Sequence, residues 1–126
     1  PKGITVGAYY YPWHSDDFHR DQGYLRDKLI PRQQPTLGEY DDTRPEIVAQ
    51  HLAWSRQANI NLWVTSWWGP GFREDVTISE VIMKHADLGD HQIALLYEST
   101  SRLKEKEGWT TQRVAPDMEH ICQTFF

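Results

Sequence analysis

Three runs of apolar and β-branched residues recur along the chain, and each is followed by a segment with helical periodicity. The first run, Ile4–Tyr11, stops at Pro12, which has no N–H to donate to a sheet. The second, Leu62–Ser66, ends at Trp67-Trp68 and the Gly69-Pro70-Gly71 turn, and the third is the continuous run Ile93–Tyr97. These patterns predict three strands, the third of them buried on both faces as in a parallel sheet.

A helix is predicted after each strand. Thr43-Arg44-Pro45-Glu46 and Thr77-Ile78-Ser79-Glu80 have the spacing of capping boxes, in which the threonine is the N-cap and the glutamate reaches back to it. We expect the first helix to end at Asn59 and the second at Gly89. The third helix is predicted from about Pro116 to the end of the chain. Its inward face is expected to include Met118, Ile121, Cys122 and Phe125, so Cys122 is predicted to be a core residue.

The β-α-β-α-β-α alternation predicts an α/β fold with a parallel sheet and right-handed crossovers. The turns after the strands lack the glycine-rich fingerprint of dinucleotide-binding folds, which favours the beginning of a (β/α)₈ TIM barrel. Three βα units cannot close a barrel of about 250 residues. Because the sequence starts at Pro1 without a methionine and ends inside a helical pattern, we expect 1–126 to be part of a single, truncated barrel domain completed by the remainder of the same chain.

Composition restricts the function further. The formal net charge of −5 over 126 residues, without a cluster of lysine and arginine, argues against nucleic-acid binding. The sequence contains no apolar run long enough for a membrane span and no signal-peptide pattern. A single cysteine, Cys122, excludes an internal disulfide and a cysteine-based zinc site.

Aromatic and polar residues accumulate where the predicted strands end. Between Pro12 and the first capping box, Trp13–Asp42 is predicted to be a long functional loop with one short helix near Tyr24–Leu29. Because the carboxyl ends of parallel strands form one edge, we expect an aromatic, sugar-binding surface there. Its candidate residues are Tyr10, Tyr11, Trp13, His14, Trp67, Trp68, Glu98 and Arg102.

Several alternatives stay open within this set. The two indoles are either core residues or a platform for a ligand. Because neighbouring strand residues point to opposite faces, one indole can face the core while the other faces a ligand, and we favour Trp68 for the ligand. Either Tyr10 or Tyr11 faces the site. Glu98 is either paired with a cation such as Arg102 or exposed in a site. The loop His14-Ser15-Asp16-Asp17-Phe18-His19 lacks a recognised ligand spacing, so we predict no metal and no cofactor.

Taken together, VGAYYYPWH, PTLGEYDD, the helix with Ala49-Gln50-His51-Leu52, TSWWGPG and LLYES resemble the amino-terminal third of glycoside hydrolase family 99 and the related WbsX-like proteins. The resemblance covers about the first 100 residues. It implies a (β/α)₈ barrel with retaining, metal-independent endo-α-mannosidase or endo-α-mannanase activity, and suggests a secreted or periplasmic location.

The resemblance also implies roles for residues. Tyr10 or Tyr11 would border the subsite next to the cleaved bond, Trp67 or Trp68 would flank a more distant sugar, and Glu98 would be a supporting acidic residue near the reacting sugar. The paired catalytic glutamates would lie beyond Phe126, so this portion alone is expected to be inactive. Ser99-Thr100-Ser101 replaces the proline-tyrosine that usually follows the acidic residue. The alternatives are a glycan-binding or polysaccharide-biosynthesis barrel that does not hydrolyse its ligand, and a small self-contained interaction domain.

Overall fold

The computed structural model describes residues 3–15, 30–31, 33, 35–102 and 110–126. In chain order the elements are β1 (Gly7–Tyr10), α1 (Pro45–Gln57), β2 (Leu62–Trp67), α2 (Arg73–Val76), a π-helical segment (Thr77–Ile82), β3 (Gln92–Tyr97), α3 (Ser99–Arg102) and α4 (Thr111–Phe125). The predicted α/β alternation is therefore confirmed. The short helix predicted near Tyr24–Leu29 and the residues Asp16, Asp17 and His19 lie outside the described residues.

The three strands form one parallel sheet in the order β1-β2-β3. Its register places Ala8, Trp63 and Ile93 in one row and Tyr10 opposite Thr65 at the carboxyl end. Neighbours in the sheet are also neighbours in sequence, so each crossover advances the sheet by one strand in one direction. This one-directional order is the one that (β/α) barrels have.

The helices cover one face of this sheet. That helix-covered face presents large side chains at alternate strand positions, and the buried core consists of Val48, Leu52, Trp63, Trp67, Ile78, Ile82 and Phe125. Trp63 is anchored to α1, because its indole N–H donates to Ser55 Oγ at 2.9 Å. Val48 and Leu52 of α1 and Ile78 and Ile82 of the second helical stretch lie in this core. Asn59 follows α1 with a positive φ of 56°, as predicted. The prediction that the second helix ends at Gly89 is wrong, because its last helical residue is Ile82.

The opposite, open face carries the alternate residues Gly7, Tyr9, Leu62, Val64, Ser66, Gln92, Ala94 and Leu96. Tyr9 is 68% exposed, and within the described part of the chain β3 is only half-buried on both faces. The prediction that β3 is fully buried is therefore wrong for these residues. In a closed barrel this open face would be the interior, which later strands complete.

Both predicted capping boxes are wrong. The N-cap of α1 is Arg44 and makes no side-chain capping bond, because Thr43 bonds elsewhere: its hydroxyl and its backbone N–H both donate to Asp41 Oδ1, at 2.7 and 2.9 Å. Thr77 lies inside a continuous helical stretch that begins at Arg73, and it is only 1% exposed. A threonine followed by a glutamate three residues later does not by itself distinguish a helix start from a buried helical position.

Helix α4 begins at Thr111, five residues earlier than predicted, with Pro116 inside it. The prediction that Cys122 is a core residue is wrong, because the thiol is exposed. The buried stripe is centred on Asp117 and Phe125, which are 2% and 8% exposed. A charged residue at the centre of the stripe hides the correct phase from a pattern based on apolar residues alone.

Candidate functional site

A row of aromatic rings follows the open face to the carboxyl end of the sheet. Tyr9 and Tyr11 stack with ring centroids 6.4 Å apart, Tyr11 meets Trp13 at 4.7 Å, and Trp13 meets the Trp68 ring edge-on at 5.7 Å. Tyr9 and Tyr11 are 68% and 40% exposed, whereas Trp13 and Trp68 are half-buried. Residues from two strand ends thus form one continuous aromatic surface, here called the aromatic row.

The aromatic row ends at a carboxylate. The indole N–H of Trp68 donates to Ser66 Oγ at 2.9 Å, and the Ser66 hydroxyl donates to Glu98 Oε1 at 2.7 Å. The backbone N–H of Glu98 also donates to the Trp67 carbonyl at 2.9 Å, which continues the β2–β3 pairing by one residue. This chain of hydrogen bonds fixes the carboxylate beside the second tryptophan, at the edge where parallel α/β folds bind ligands.

The two adjacent tryptophans have different environments. Trp67 is fully buried on the helix-covered face, where it stacks on Tyr97 with centroids 5.6 Å apart and donates its indole N–H to Asp75 Oδ1 at 2.7 Å. Trp67 therefore belongs to the core, and a ligand cannot reach its ring in this arrangement. Trp68 is the indole at the surface; its contact with a ligand stays a prediction.

The two neighbouring tyrosines at the end of the first strand have different environments. Tyr10 lies on the helix-covered face, stacked on Trp63 at 4.1 Å, with its hydroxyl 2.9 Å from His51 Nδ1. Burial raises the pKa of Tyr10, and the charge of Asp42 raises it further. Burial also lowers the pKa of His51, which favours a neutral ring that accepts the tyrosine proton in the hydrogen bond. Tyr11, not Tyr10, is the tyrosine on the side of the aromatic row.

The described ion pair of Arg102 is with Asp117, not with Glu98. Its guanidinium instead holds Asp117 of α4 with two parallel bonds, Nε to Oδ2 at 2.8 Å and Nη2 to Oδ1 at 2.5 Å. Tyr97 adds a third bond to the same carboxylate, hydroxyl to Oδ2 at 2.6 Å. The hydrogen bonds from Arg102 hold the pKa of Asp117 below its usual range. Burial, together with the hydrogen bond to Asp117, raises the pKa of Tyr97 to about 12.

His14 takes part in a second polar cluster, at the end of β1. Its backbone N–H donates to Asp42 Oδ2 at 2.6 Å, and Arg73 Nη2 donates to Asp42 Oδ1 at 2.9 Å, to Asp41 Oδ1 at 2.6 Å and to the His14 carbonyl at 2.6 Å. The cluster ties the segment after β1 to the start of α1 and to α2. The His14 ring packs against that of Tyr40, with ring centroids 5.1 Å apart.

The pKa values of the two aspartates in this cluster are shifted in opposite directions. Asp42 is 1% exposed, and burial raises its pKa to about 6 despite the bonds from His14 and Arg73. Burial acts on Asp41 as well, but the hydrogen bonds from Thr43 and Arg73 outweigh it and lower its pKa to about 2. Asp41 is thus the charged partner of Arg73 over a wide pH range, whereas Asp42 changes its charge near pH 6.

Sequence reasoning missed the residues that hold the site together. Asp42, Arg73, Asp75 and Asp117 bond the strand-end segments to the helices, yet none follows a strand directly. Their only signal in the sequence is a charged residue inside an apolar stripe, as at Asp75 and Asp117. Within the described ranges, no group of three histidine, cysteine or acidic side chains could hold a metal ion. No helix among these residues is long and apolar enough to cross a membrane.

Comparison with known proteins supports the fold. No family model matches the sequence, and no curated protein matches it significantly. Among solved structures, the GH99 endo-α-mannosidase from Bacteroides thetaiotaomicron in complex with bis-tris-propane is similar over 96% of this chain, with a TM-score of 0.65 and 20% identity. A second structure of a GH99 endo-α-mannosidase from the same organism covers 95% of the chain, with a TM-score of 0.64 and 18% identity.

The chain spans 36% and 39% of the length of these two structures. At this level of identity the likeness establishes the fold, and it agrees with the resemblance indicated by the sequence motifs. The chain therefore has the fold of part of a glycoside hydrolase family 99 barrel.

Proposed function

We propose that 1–126 is the amino-terminal part of a glycosidase barrel that acts on an α-mannoside-type or related polysaccharide, and that it supplies the aromatic side of the substrate cleft. The observation that carries the proposal is the aromatic row, which leads along the open face to the Trp68–Ser66–Glu98 chain. The likeness in fold to two endo-α-mannosidase structures supports the choice of substrate class.

The chemistry of the surface suits a sugar chain. Aromatic faces pack against the C–H patches of pyranose rings, while a few fixed polar groups orient the hydroxyls. Trp68 provides an indole ring for this packing. Its N–H donates to Ser66 Oγ, and this hydrogen bond fixes the plane of the indole. A carboxylate has several acceptor positions, so Glu98 can accept sugar hydroxyls in addition to the bond from Ser66.

In this proposal Glu98 orients the sugar and does not cleave the bond. The glycosidic bond is broken by a carboxylic acid that protonates the leaving oxygen and a second group on the other side of the sugar. The resemblance to family 99 assigns those roles to glutamates beyond Phe126, so binding by this portion and cleavage by the rest of the chain are separable.

The test uses the full-length protein and a soluble α-linked manno-oligosaccharide. We expect wild-type protein to release shorter oligosaccharides, measured by chromatography. Trp68→Ala should weaken binding by about 1–3 kcal/mol, the value of aromatic stacking in other ligands. Glu98→Gln should weaken binding while leaving the melting temperature nearly unchanged.

Asp90→Asn is the matched control, because Asp90 is exposed just before β3, at the opposite end of the sheet. Binding without cleavage by wild-type protein would favour the non-hydrolytic glycan-binding alternative. Affinity that is unchanged in Trp68→Ala and Glu98→Gln, with folding intact, would overturn the assignment of the cleft.

A further inference from the structure

The segment that carries Trp68 is a glycine-rich turn, residues 68–71, here called the tryptophan turn. Gly69 and Gly71 both have positive φ, 137° and 73°. Glycine reaches such conformations at little cost, but it also reaches many others, so the sequence of the turn does not fix a single geometry. A defined position for the Trp68 ring therefore requires contacts from outside the turn.

Asp75 of α2 supplies the first of these contacts. The carboxylate is 5% exposed. It accepts one hydrogen bond from the residue before the turn and one from the last residue of the turn. Oδ1 accepts from the Trp67 indole N–H at 2.7 Å, and Oδ2 accepts from the Gly71 backbone N–H at 2.8 Å. The two oxygens thus hold the residue before the turn and its last residue at a fixed separation.

His120 of α4 holds this carboxylate in turn. Its Nε2 lies 2.9 Å from Asp75 Oδ1 and 3.0 Å from Oδ2, and its ring lies 6.2 Å from that of Trp67. An ionised carboxylate only accepts hydrogen bonds, so in this pair Nε2 carries the proton and shares it between both oxygens. The histidine therefore fixes the plane of the carboxylate that fixes the turn.

A second contact, from Arg102 of α3, reaches the middle of the tryptophan turn. A Cβ built on Gly69 would lie 3.0 Å from the Arg102 guanidinium, which shows how closely the two pack. Asp117 holds that guanidinium with two bonds. Asp117 and His120 are three residues apart and so share one face of α4. One helix face thus supports the tryptophan turn from two sides.

We propose that Asp75 is a positioning residue for Trp68, and that His120 keeps its carboxylate in place. Helix α4 then sets the sugar affinity of an indole through residues that do not touch the sugar. The effect on sugar affinity rests on the function proposed above, whereas the effect on the Trp68 ring does not.

The first experiment observes the ring without a sugar. The full-length protein is labelled with fluorotryptophan, and the ¹⁹F resonances of Trp67 and Trp68 are assigned from Trp67→Phe and Trp68→Phe. His120→Phe keeps an aromatic ring but loses the donor, whereas His120→Gln keeps an N–H donor. We expect His120→Phe and Asp75→Asn to shift or broaden both resonances, and His120→Gln to change them much less. Asp90→Asn is the control and should change neither.

The second experiment measures the dissociation constant of the α-linked manno-oligosaccharide in a double-mutant cycle. Asp75→Asn should weaken binding about 5-fold or more, the lower end of the range expected for loss of the Trp68 contact. In a Trp68→Ala background the same substitution should have almost no further effect on binding, although its effect on the melting temperature remains.

The outcomes separate the two proposals. If wild-type protein binds no oligosaccharide, the proposed function fails, and the fluorine spectra alone decide the positioning role. If Asp75→Asn moves the Trp67 resonance but leaves that of Trp68 unchanged, Asp75 supports only the core and the inference is overturned. Equal losses of affinity on both backgrounds would overturn it as well, since Asp75 would then act independently of Trp68.

Discussion

Replacing each of the two adjacent tryptophans by phenylalanine should lower the stability of the protein by very different amounts. Trp67 is fully buried, and its indole N–H donates to the buried carboxylate of Asp75. Trp68 is half-buried, and its N–H bonds the neutral hydroxyl of Ser66. We therefore expect Trp67→Phe to reduce the free energy of unfolding and Trp68→Phe to affect it little.

The magnitudes follow from these environments. Trp67→Phe loses a hydrogen bond to a charged group, about 1.5–3 kcal/mol, and about 1 kcal/mol of buried ring surface. The total is about 2.5–4 kcal/mol. Trp68→Phe loses a hydrogen bond between neutral groups and less buried surface, so its cost should be about 1 kcal/mol.

The measurement is urea unfolding of the full-length protein followed by circular dichroism, because removing an indole would alter a fluorescence signal directly. Equal destabilisation by the two substitutions would refute the reasoning, and so would a larger effect of Trp68→Phe. Equal effects would mean that both indoles pack equally at the end of β2, and a larger effect of Trp68→Phe would mean that the second indole is the main packing residue.

Two further predictions concern the polar clusters and the turn. The pKa of Asp42 is raised from 3.8 in the unfolded chain to about 6 in the folded protein, so the folded state takes up the proton first as the pH falls. In urea unfolding, the stability of wild-type protein relative to Asp42→Asn should therefore rise by about 1 kcal/mol between about pH 7.5 and pH 5. If wild-type protein does not gain this stability relative to the variant, the raised pKa of Asp42 is contradicted. Gly69→Ala should cost about 1–3 kcal/mol, because φ is 137° and the methyl group would meet Arg102, whereas Gly3→Ala, with open space around it, should be neutral in the same assay.

The sequence by itself determined the order and type of the main elements. Runs such as Leu62–Ser66 and Ile93–Tyr97 have the apolar pattern of strands. The helical stripe with Val48 and Leu52 lies between the first and second of the three runs, so it predicts a crossover between parallel strands. It also placed Trp68 and Glu98 at one edge, because parallel strands end on the same side. These conclusions depend on the short-range periodicity of apolar and polar residues, which is visible in the sequence.

Only the tertiary structure decided which side chains serve the core and which face outward. Tyr10 and Trp67 are as aromatic as Tyr11 and Trp68, and their orientations follow from the register of the sheet and from their partners His51 and Asp75. Those partners lie 41 and 8 residues away in the chain.

The phase of α4 was decided in the same way, because a buried Asp117 is stable only where Arg102 and Tyr97 meet it. A sequence pattern records the polarity of each residue but not the partner that makes its burial possible. This is the physical reason why the strands could be predicted, while the supports of the tryptophan turn could not.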